Sequence, residues 1–250
     1  MASSLTYLDL FNNIVWNPGA EYNDFLGELT NLIFLYYGNT NFEFDGIPTA
    51  IGKLSNLVEY DASFTLYFGA IQGSIFQNMP LMNYLVLGGN AYNSSIPVEI
   101  GQLPALEFFY AEDSFLSGDL SFMAPMQKIA ELWVDTNPGL GGTIPTFLGS
   151  IATLQSFSIS ACGFNGPIPS ELGNLAGMKQ MWFFDNTLTG VVPTEIGRLT
   201  RMELLKVELN LITGTMPSEI CANRDPLGLL VDLESDCVSE MVCTCCTACS

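Results

Sequence analysis

Six cysteines crowd the C-terminal end of the chain: Cys221, Cys237, Cys243, Cys245, Cys246 and Cys249. Thiols at this density form either disulfides in an oxidising compartment or a thiolate metal site. No histidine and no second, separated ligand pair accompanies the CxCCxxC run at 243–249. We therefore expect three disulfides, no metal, and an extracellular or secretory-pathway location. The sequence leaves the pairing of the cysteines open.

The rest of the chain offers little catalytic chemistry. It has no histidine, which removes imidazole bases, histidine metal ligands and Ser-His-Asp triads. Glycine pairs such as Gly141-Gly142 form neither GxGxxG nor GxxxxGKS/T, so no nucleotide or other cofactor is expected. Seven Lys and Arg against 26 Asp and Glu give a net charge of −19, which argues against a nucleic-acid partner.

Composition predicts a folded chain without a membrane span. Apolar residues make up 48% of the 250 residues and charged residues 13%, which is ample for a packed core. The uncharged stretches 62–98 and 136–170 are interrupted by Gly, Pro, Asn and Gln, so neither could cross a bilayer. Residues 1–6 lack the basic and apolar regions of a signal peptide. We expect that a leader has been removed or that the sequence begins inside a longer gene product.

A repeat of 24 residues organises most of the chain. Pro145, Pro169, Pro193 and Pro217 follow one another at this spacing. Unit 169–192 carries its apolar, Asn and Gly positions at Leu172, Leu175, Met178, Met181, Phe183, Asn186, Leu188, Gly190 and Val192. A fixed period of this length predicts a solenoid of stacked, similar units.

Each part of the unit has a structural reason. The LxxLxL portion ends with period 2 and predicts one short strand per unit, stacked in parallel about 4.8 Å from the next. Pro then begins a short helical segment. An inward amide can bond backbone groups of its own and neighbouring turns, and it is predicted at Asn13, Asn90, Asn137, Asn186 and Asn210. Thr65, Ser114 and Cys162 replace it in three units, and Cys162 is expected to be a buried free thiol.

The pattern resembles LxxLxLxxNxLxGxIPxxIGx, the plant-type leucine-rich repeat, over about Leu5 to Asp236. The resemblance implies an α/β repeat solenoid: a right-handed superhelix with a parallel concave β-sheet and short 3-10 or helical segments on the convex side. We expect about nine repeats over residues 1–220, the first truncated, and a cysteine-rich cap over 221–250. The segment ICANR at 220–224 and the CxCCxxC ending are similar to caps of secreted microalgal leucine-rich repeat proteins.

Side chains that point away from the core of such a sheet form its candidate binding face. Aromatic and acidic residues dominate these positions, and we expect a ligand to contact Tyr84, Phe108, Tyr110, Trp133, Trp182, Phe184, Glu59, Asp61, Glu112, Glu131 and Asp135. Ser156, Ser158 and Ser160 are expected to be exposed on the same face. Two structural interpretations stay open, because the rings could merely cover one another and the acids could simply be solvated.

One pair of acids suggests what the ligand is. Glu112 and Asp135 occupy equivalent positions on neighbouring strands, as do Tyr110 and Trp133. Like charges side by side cost stability, so a cation or a basic partner is expected to relieve them. The same acids could be paired as in glycosidases, Glu112 with Asp135 or Glu131, but a broad sheet would not desolvate them, and we expect no enzymatic activity.

The leading functional hypothesis is a non-catalytic extracellular recognition module for a protein, peptide or glycan. The resemblance implies the same, since plant-type members act as receptor ectodomains or as secreted inhibitors of wall-degrading enzymes. The alternative is a structural scaffold or assembly subunit that docks through its N-terminal edge, Leu5 to Leu10, where the cysteine pair of land-plant caps is missing. Asn93-Ser94-Ser95 is a sequon in a predicted loop, so Asn93 is a candidate glycosylation site.

Overall fold

A computed structural model describes residues 4–13, 24–224, 228–237 and 241–249. Within these residues, eleven short parallel strands form one sheet on the concave side of a solenoid. The strands, in chain order, are Tyr7–Asp9, Phe34–Tyr36, Glu59–Asp61, Tyr84–Val86, Phe108–Tyr110, Glu131–Trp133, Ser156–Ser158, Gln180–Trp182, Leu204–Lys206, Asp232–Ser235 and Ala248–Cys249. The predicted solenoid with a parallel concave sheet is confirmed.

The repeat period sets the register of this sheet. Equivalent positions of neighbouring units are paired, so that Tyr110 lies beside Trp133 and Phe109 beside Leu132. The middle residue of each three-residue strand points inward, and Phe109 and Leu132 are fully buried. Because this alternation recurs from unit to unit, the first and last residues of the strands point away from the core. They line up in columns on the concave face of the sheet.

The convex side is built from short helical segments, six of which begin directly after a repeat proline, while Gly73–Asn78 follows Gln72 and Leu120–Met123 follows Asp119. They are Thr49–Lys53, Gly73–Asn78, Val98–Gly101, Leu120–Met123, Thr146–Ser150, Ser170–Asn174, Thr194–Arg198 and Ser218–Ala222. Two of them, Val98–Gly101 and Ser218–Ala222, are α-helical, and the others are 3-10 helices. Within the described ranges, no helix has the length and apolar character needed to span a membrane.

A second parallel sheet, which the repeat pattern did not predict, covers one flank. Its five strands in the described part of the chain are Ser117–Gly118, Gly139–Thr143, Gly163–Pro167, Thr187–Gly190 and Leu211–Ile212. Smaller two-stranded pairs join Phe68–Gly69 to Ala91–Tyr92 and Gly214–Thr215 to Met241–Val242. Asn93 follows one of these strands and is exposed, and its glycosylation stays a prediction.

Four of the five predicted asparagines are buried and form a hydrogen-bonded ladder under the turns that leave their concave strands: Asn90, Asn137, Asn186 and Asn210. Asn13 is exposed instead and donates to the Leu10 and Phe11 carbonyl oxygens of its own turn. Asn137 is fully buried, and its Nδ2 donates to the carbonyl oxygens of Ala111 and Val134 at 2.9 Å and of Asp135 at 3.1 Å. Its Oδ1 accepts from the backbone N–H groups of Ser114 and Leu116. One side chain therefore bonds five backbone groups of its own and the neighbouring turn.

Cys162 weakens this ladder at one unit. Its thiol is half-buried rather than fully buried, and its Sγ donates to the Val134 carbonyl oxygen at 3.4 Å. Burial raises the pKa of the thiol to about 12, so that it stays protonated.

Replacing Cys162 with asparagine is expected to stabilise the fold by about 1–2 kcal/mol, because an amide has more donors and a stronger acceptor than a thiol at a ladder position. Urea unfolding followed by circular dichroism measures the change. The Cys162→Ser variant should gain less, since a hydroxyl can donate only one bond. A Cys162→Asn variant less stable than the parent would show that the site cannot accept the larger side chain.

The C-terminal cap contains the three expected disulfides. They join Cys221 to Cys245, Cys237 to Cys249 and Cys243 to Cys246. The sulfurs of Cys237, Cys243 and Cys246 lie within 4.8 Å of one another, but each belongs to a disulfide and is not a free thiolate ligand. The concave sheet continues past residue 220 through Asp232–Ser235 and Ala248–Cys249, so the cap covers the last repeat.

Candidate functional site

The sheet brings all eleven candidate ligand-binding residues to its concave face, and each of them is half-buried. Eight lie on strands as outward-pointing residues: Glu59, Asp61, Tyr84, Phe108, Tyr110, Glu131, Trp133 and Trp182. The other three, Glu112, Asp135 and Phe184, follow their strands by two residues and form the next column. The geometry fits a binding face, while a role in binding stays a prediction for each residue.

The aromatic residues form a continuous row across the middle of the sheet. Tyr84 meets Tyr110 with ring centroids 5.6 Å apart, Tyr110 meets Trp133 at 5.1 Å, and Trp133 meets Trp182 at 5.6 Å, all edge to face. Tyr84 also lies 6.0 Å from Phe108. Edge-to-face contacts at these distances are favourable, so part of each ring stabilises its neighbour and the remaining part faces solvent.

A strand of serines lies between the two tryptophans. Ser158 pairs with Trp133 on one side and with Trp182 on the other, and its small side chain lets the indoles meet above it. The prediction that these serines are exposed is wrong: Ser156 and Ser158, beside the indoles, are 5% exposed, and Ser160 is 2% exposed. Trp133 Nε1 also donates to Ser156 Oγ at 2.8 Å, which fixes the orientation of this indole.

An open cleft of about 260 Å³ lies beside the meeting point of the indoles. Its walls are Trp133, Trp182 and Phe184, and Asp135 and Ser158 line it with polar atoms. Thr136 and Ala161 complete the lining; they were not among the predicted site residues, because they belong to the turns after the strands. Their proximity to Asp135 in the repeat is the signal that could have found them.

Three of the five acids are held by hydrogen bonds on the sheet. Glu59 accepts from the hydroxyl of Tyr36, and Glu131 Oε2 accepts from the hydroxyl of Tyr110 at 2.7 Å. Asp61 Oδ1 accepts from the backbone N–H of Ser63 at 2.9 Å. Burial and the bond to Glu131 raise the pKa of Tyr110, so this phenol remains a neutral donor.

The other two acids are incompletely paired. Glu112 Oε2, Asp135 Oδ1 and the neighbouring Ser160 Oγ are buried and have no hydrogen-bond partner among the described residues. Burial raises the pKa of the Glu112 carboxyl, and the charge of Asp135 raises it further. Burial also raises the pKa of Asp135, against a hydrogen bond with Ser158. Ionising either acid therefore costs the fold free energy unless positive charge is supplied nearby.

No cation of the described chain supplies that charge. Lys206 lies on the concave face but is paired with Glu234 at 2.8 Å and with Asp232 at 3.5 Å. A groove lies at the edge of the concave sheet where its strands begin. It is lined by Lys128, Lys179 and Arg201, together with Glu107. Positive and negative charges are thus separated, with the unpaired acids on the concave face and three cations at its edge.

Comparisons with known proteins agree with the repeat. The Leucine Rich Repeat family model matches residues 153–175. The ectodomain of the Arabidopsis receptor kinase HAESA, solved with the peptide hormone IDA and the co-receptor SERK1, superposes with a TM-score of 0.81 at 25% identity, over 96% of this chain and 39% of that one. The plant peptide hormone receptor RGFR1, solved with RGF2, gives 0.72 at 23% identity, over 93% and 41%.

Proteins of other functions share the same architecture. A plant ice-binding protein superposes with a TM-score of 0.70 at 21% identity, over 88% of this chain and 67% of that one. A search of curated proteins gave no match. The likeness thus concerns the fold, which is compatible with several functions.

The repeat and the sheet give the chain the fold of a leucine-rich repeat solenoid, and the family model matches one of its units. Its fold is that of the plant receptor ectodomains, and it spans about two fifths of the length of the two receptors compared.

Proposed function

We propose that the chain is a non-catalytic extracellular recognition module that binds a basic peptide or protein segment on its concave face. The observation that carries this proposal is the pair Glu112 and Asp135. Each has a buried oxygen without a hydrogen-bond partner in the described part of the chain, beside a row of half-exposed rings. Cationic side chains of a ligand would supply the missing charge, and its apolar groups would cover the rings. The three disulfides of the cap fit an oxidising compartment.

A peptide fits this face better than a glycan does. A neutral sugar could stack on Tyr84 or Trp133, but it would leave the unpaired acids without a counter-charge. The receptors HAESA and RGFR1, which share the fold, were solved with peptide hormones. A screen of cationic peptides and of glycans, run with and without calcium, separates the possibilities. Binding of glycans alone, or calcium binding that abolishes peptide binding, would count against the proposal.

Removing both indoles tests the proposed face. The double variant Trp133→Ala, Trp182→Ala is expected to weaken binding of the best cationic peptide from that screen by at least about 30-fold, since central aromatic anchors carry most binding energy. The melting temperature should fall by less than about 5 °C, because both rings are only half-buried. Calorimetric titration measures the first quantity and differential scanning calorimetry the second.

The matched control for this variant is Phe68→Ala. Phe68 is 41% exposed on the flank, in the pair of strands away from the concave sheet. Peptide affinity should not change in this variant. If folding and binding fail together in the double variant, the rings are structural and the proposed binding face is wrong.

The scaffold alternative depends on the first strand, Tyr7–Asp9. Tyr7 is 52% exposed and Leu5 37% exposed, so this end presents apolar surface as well as a strand edge. Size-exclusion chromatography with light scattering distinguishes the two functions. Concentration-dependent assembly that survives the double tryptophan substitution favours the scaffold, whereas a monomer favours recognition.

A further inference from the structure

The cleft beside the indoles combines three aromatic walls with one carboxylate. Trp133, Trp182 and Phe184 form its aromatic walls, and Asp135 lies in the lining beside them. Aromatic faces carry negative electrostatic potential and attract ammonium groups within about 6 Å of the ring centroid, most strongly when the ring is tryptophan. Ring walls and a carboxylate together therefore favour a cation with an apolar surface over either a neutral group or a bare metal ion.

Buried oxygens without a hydrogen-bond partner are a second observation, separate from the rings, that indicates a positively charged ligand group. Among the described residues, Asp135 Oδ1 is buried without a hydrogen-bond partner, and so is the hydroxyl oxygen of Ser160. Ser160 is 2% exposed and lies on the neighbouring turn of the solenoid. Glu112 Oε2 is in the same condition on the other side of Asp135. Two acids and no described cation within ion-pair distance leave this end of the row with uncompensated negative charge.

The dimensions of the cleft limit what could occupy it. Its volume of about 260 Å³ lies below the roughly 300–1,000 Å³ of pockets that enclose drug-sized ligands. One ammonium head with its carbon substituents fits this space, whereas an extended chain would have to continue along the open sheet. Ser158 forms the floor between the two indoles, so a group that enters meets ring surface on both sides.

We propose that this cleft is a cage for an alkylammonium group, the side-chain end of a lysine or methylated lysine in the peptide ligand. The inference rests on the proposed function and deepens it, because it assigns one ligand side chain to one place on the face. Trp133, Trp182 and Phe184 surround the cation, and Asp135 supplies the counter-charge.

Small probes test the cage without any peptide ligand. Choline and its neutral isostere 3,3-dimethylbutan-1-ol have almost the same shape and differ in charge. Choline is expected to bind about tenfold more tightly than the alcohol, as measured by NMR titration of the tryptophan indole N–H signals. Equal affinities would mean that the cleft is only apolar, and the proposal would be overturned.

A lysine derivative separates the two sources of an ammonium group. N-acetyl-trimethyllysine methylamide should bind at least as tightly as choline, because its backbone amides can lie along the sheet. Weaker binding than that of choline would overturn the assignment to a peptide side chain.

Two variants locate the site. Asp135→Asn keeps the shape of the side chain and should weaken choline binding about tenfold, with little effect on the alcohol. Trp182→Leu should abolish measurable binding of choline. The control Glu171→Gln removes one exposed carboxylate from the convex segment Ser170–Asn174 and should change nothing. A similar loss in the control would indicate a general charge effect and overturn the cage.

Failure of the cage leaves the proposed function separately testable. If choline and the alcohol bind alike while the double tryptophan variant loses the cationic peptide, the recognition face stands and only the cage is wrong. If the peptide also binds the double variant unchanged, both are wrong.

Discussion

Replacing Asn137 with alanine is expected to destabilise the protein by about 3–5 kcal/mol, an unusually large effect for one side chain. The substitution removes the amide from three carbonyl oxygens and two N–H groups at a position with no solvent exposure. The Val134 and Asp135 carbonyls keep a second donor, Cys162 Sγ and the Asp113 N–H, so the main loss falls on the Ala111 carbonyl and the two N–H groups. Buried polar groups that lose their partner keep the full cost of leaving water, so the loss exceeds that of one ordinary hydrogen bond. Urea unfolding followed by circular dichroism gives the magnitude.

Asn174→Ala provides the matched control. Asn174 ends the convex segment Ser170–Asn174 and is exposed, so the same substitution there should stay within about 0.5 kcal/mol of the parent. A loss below about 1 kcal/mol for Asn137→Ala would mean that water enters the turn and replaces the amide, and the ladder would then contribute little to stability.

The second large effect is expected in the cap. Replacing Cys221 and Cys245 with alanine removes the disulfide that ties the last convex helix, Ser218–Ala222, to the end of the chain across a sequence separation of 24. Chain-entropy arguments give a loss of about 3–4 kcal/mol for a loop of this length. The urea midpoint of the double variant measures it, with mass spectrometry to confirm that the other two disulfides have formed.

Loop length supplies the control for this experiment. Cys243 and Cys246 are separated by 3 residues, so removing their disulfide should cost only about 2 kcal/mol. The reverse order of effects would show that the cap is stabilised by the local geometry around Cys243 and not by restriction of the unfolded chain.

Periodicity predicted the concave sheet because its strands obey one rule. Aligning the repeat pattern of neighbouring units places Tyr110 beside Trp133 before any coordinates are known, and the structure has that register. The flank sheet could not be predicted in the same way. Strands such as Gly139–Thr143 and Gly163–Pro167 consist largely of glycine and polar residues, which carry no alternating apolar signal. The final strand, Ala248–Cys249, is likewise hidden among the cap cysteines.

The sequence predicts which side chains of the candidate site point away from the core. It does not predict how these side chains pack against one another or which of their polar atoms are paired. Strand alternation places Trp133 and Trp182 on the concave face, and the structure has them there. Strand alternation does not predict that the two indoles meet across Ser158 and bury it. This contact depends on the side-chain sizes in three neighbouring units. The unpartnered oxygens of Glu112 and Asp135 are equally invisible in the sequence, because hydrogen bonding depends on side-chain orientation.

The separation of charge across the sheet has a kinetic consequence. Lys128, Lys179 and Arg201 lie where the strands begin, and the unpaired acids lie where they end, on a chain of net charge −19. A cationic ligand is attracted from beyond contact distance, since the Debye length is about 8 Å at physiological ionic strength. Lys128, Lys179 and Arg201 repel the cationic ligand and direct it toward the acids. Added salt should therefore slow the encounter far more than it hastens departure.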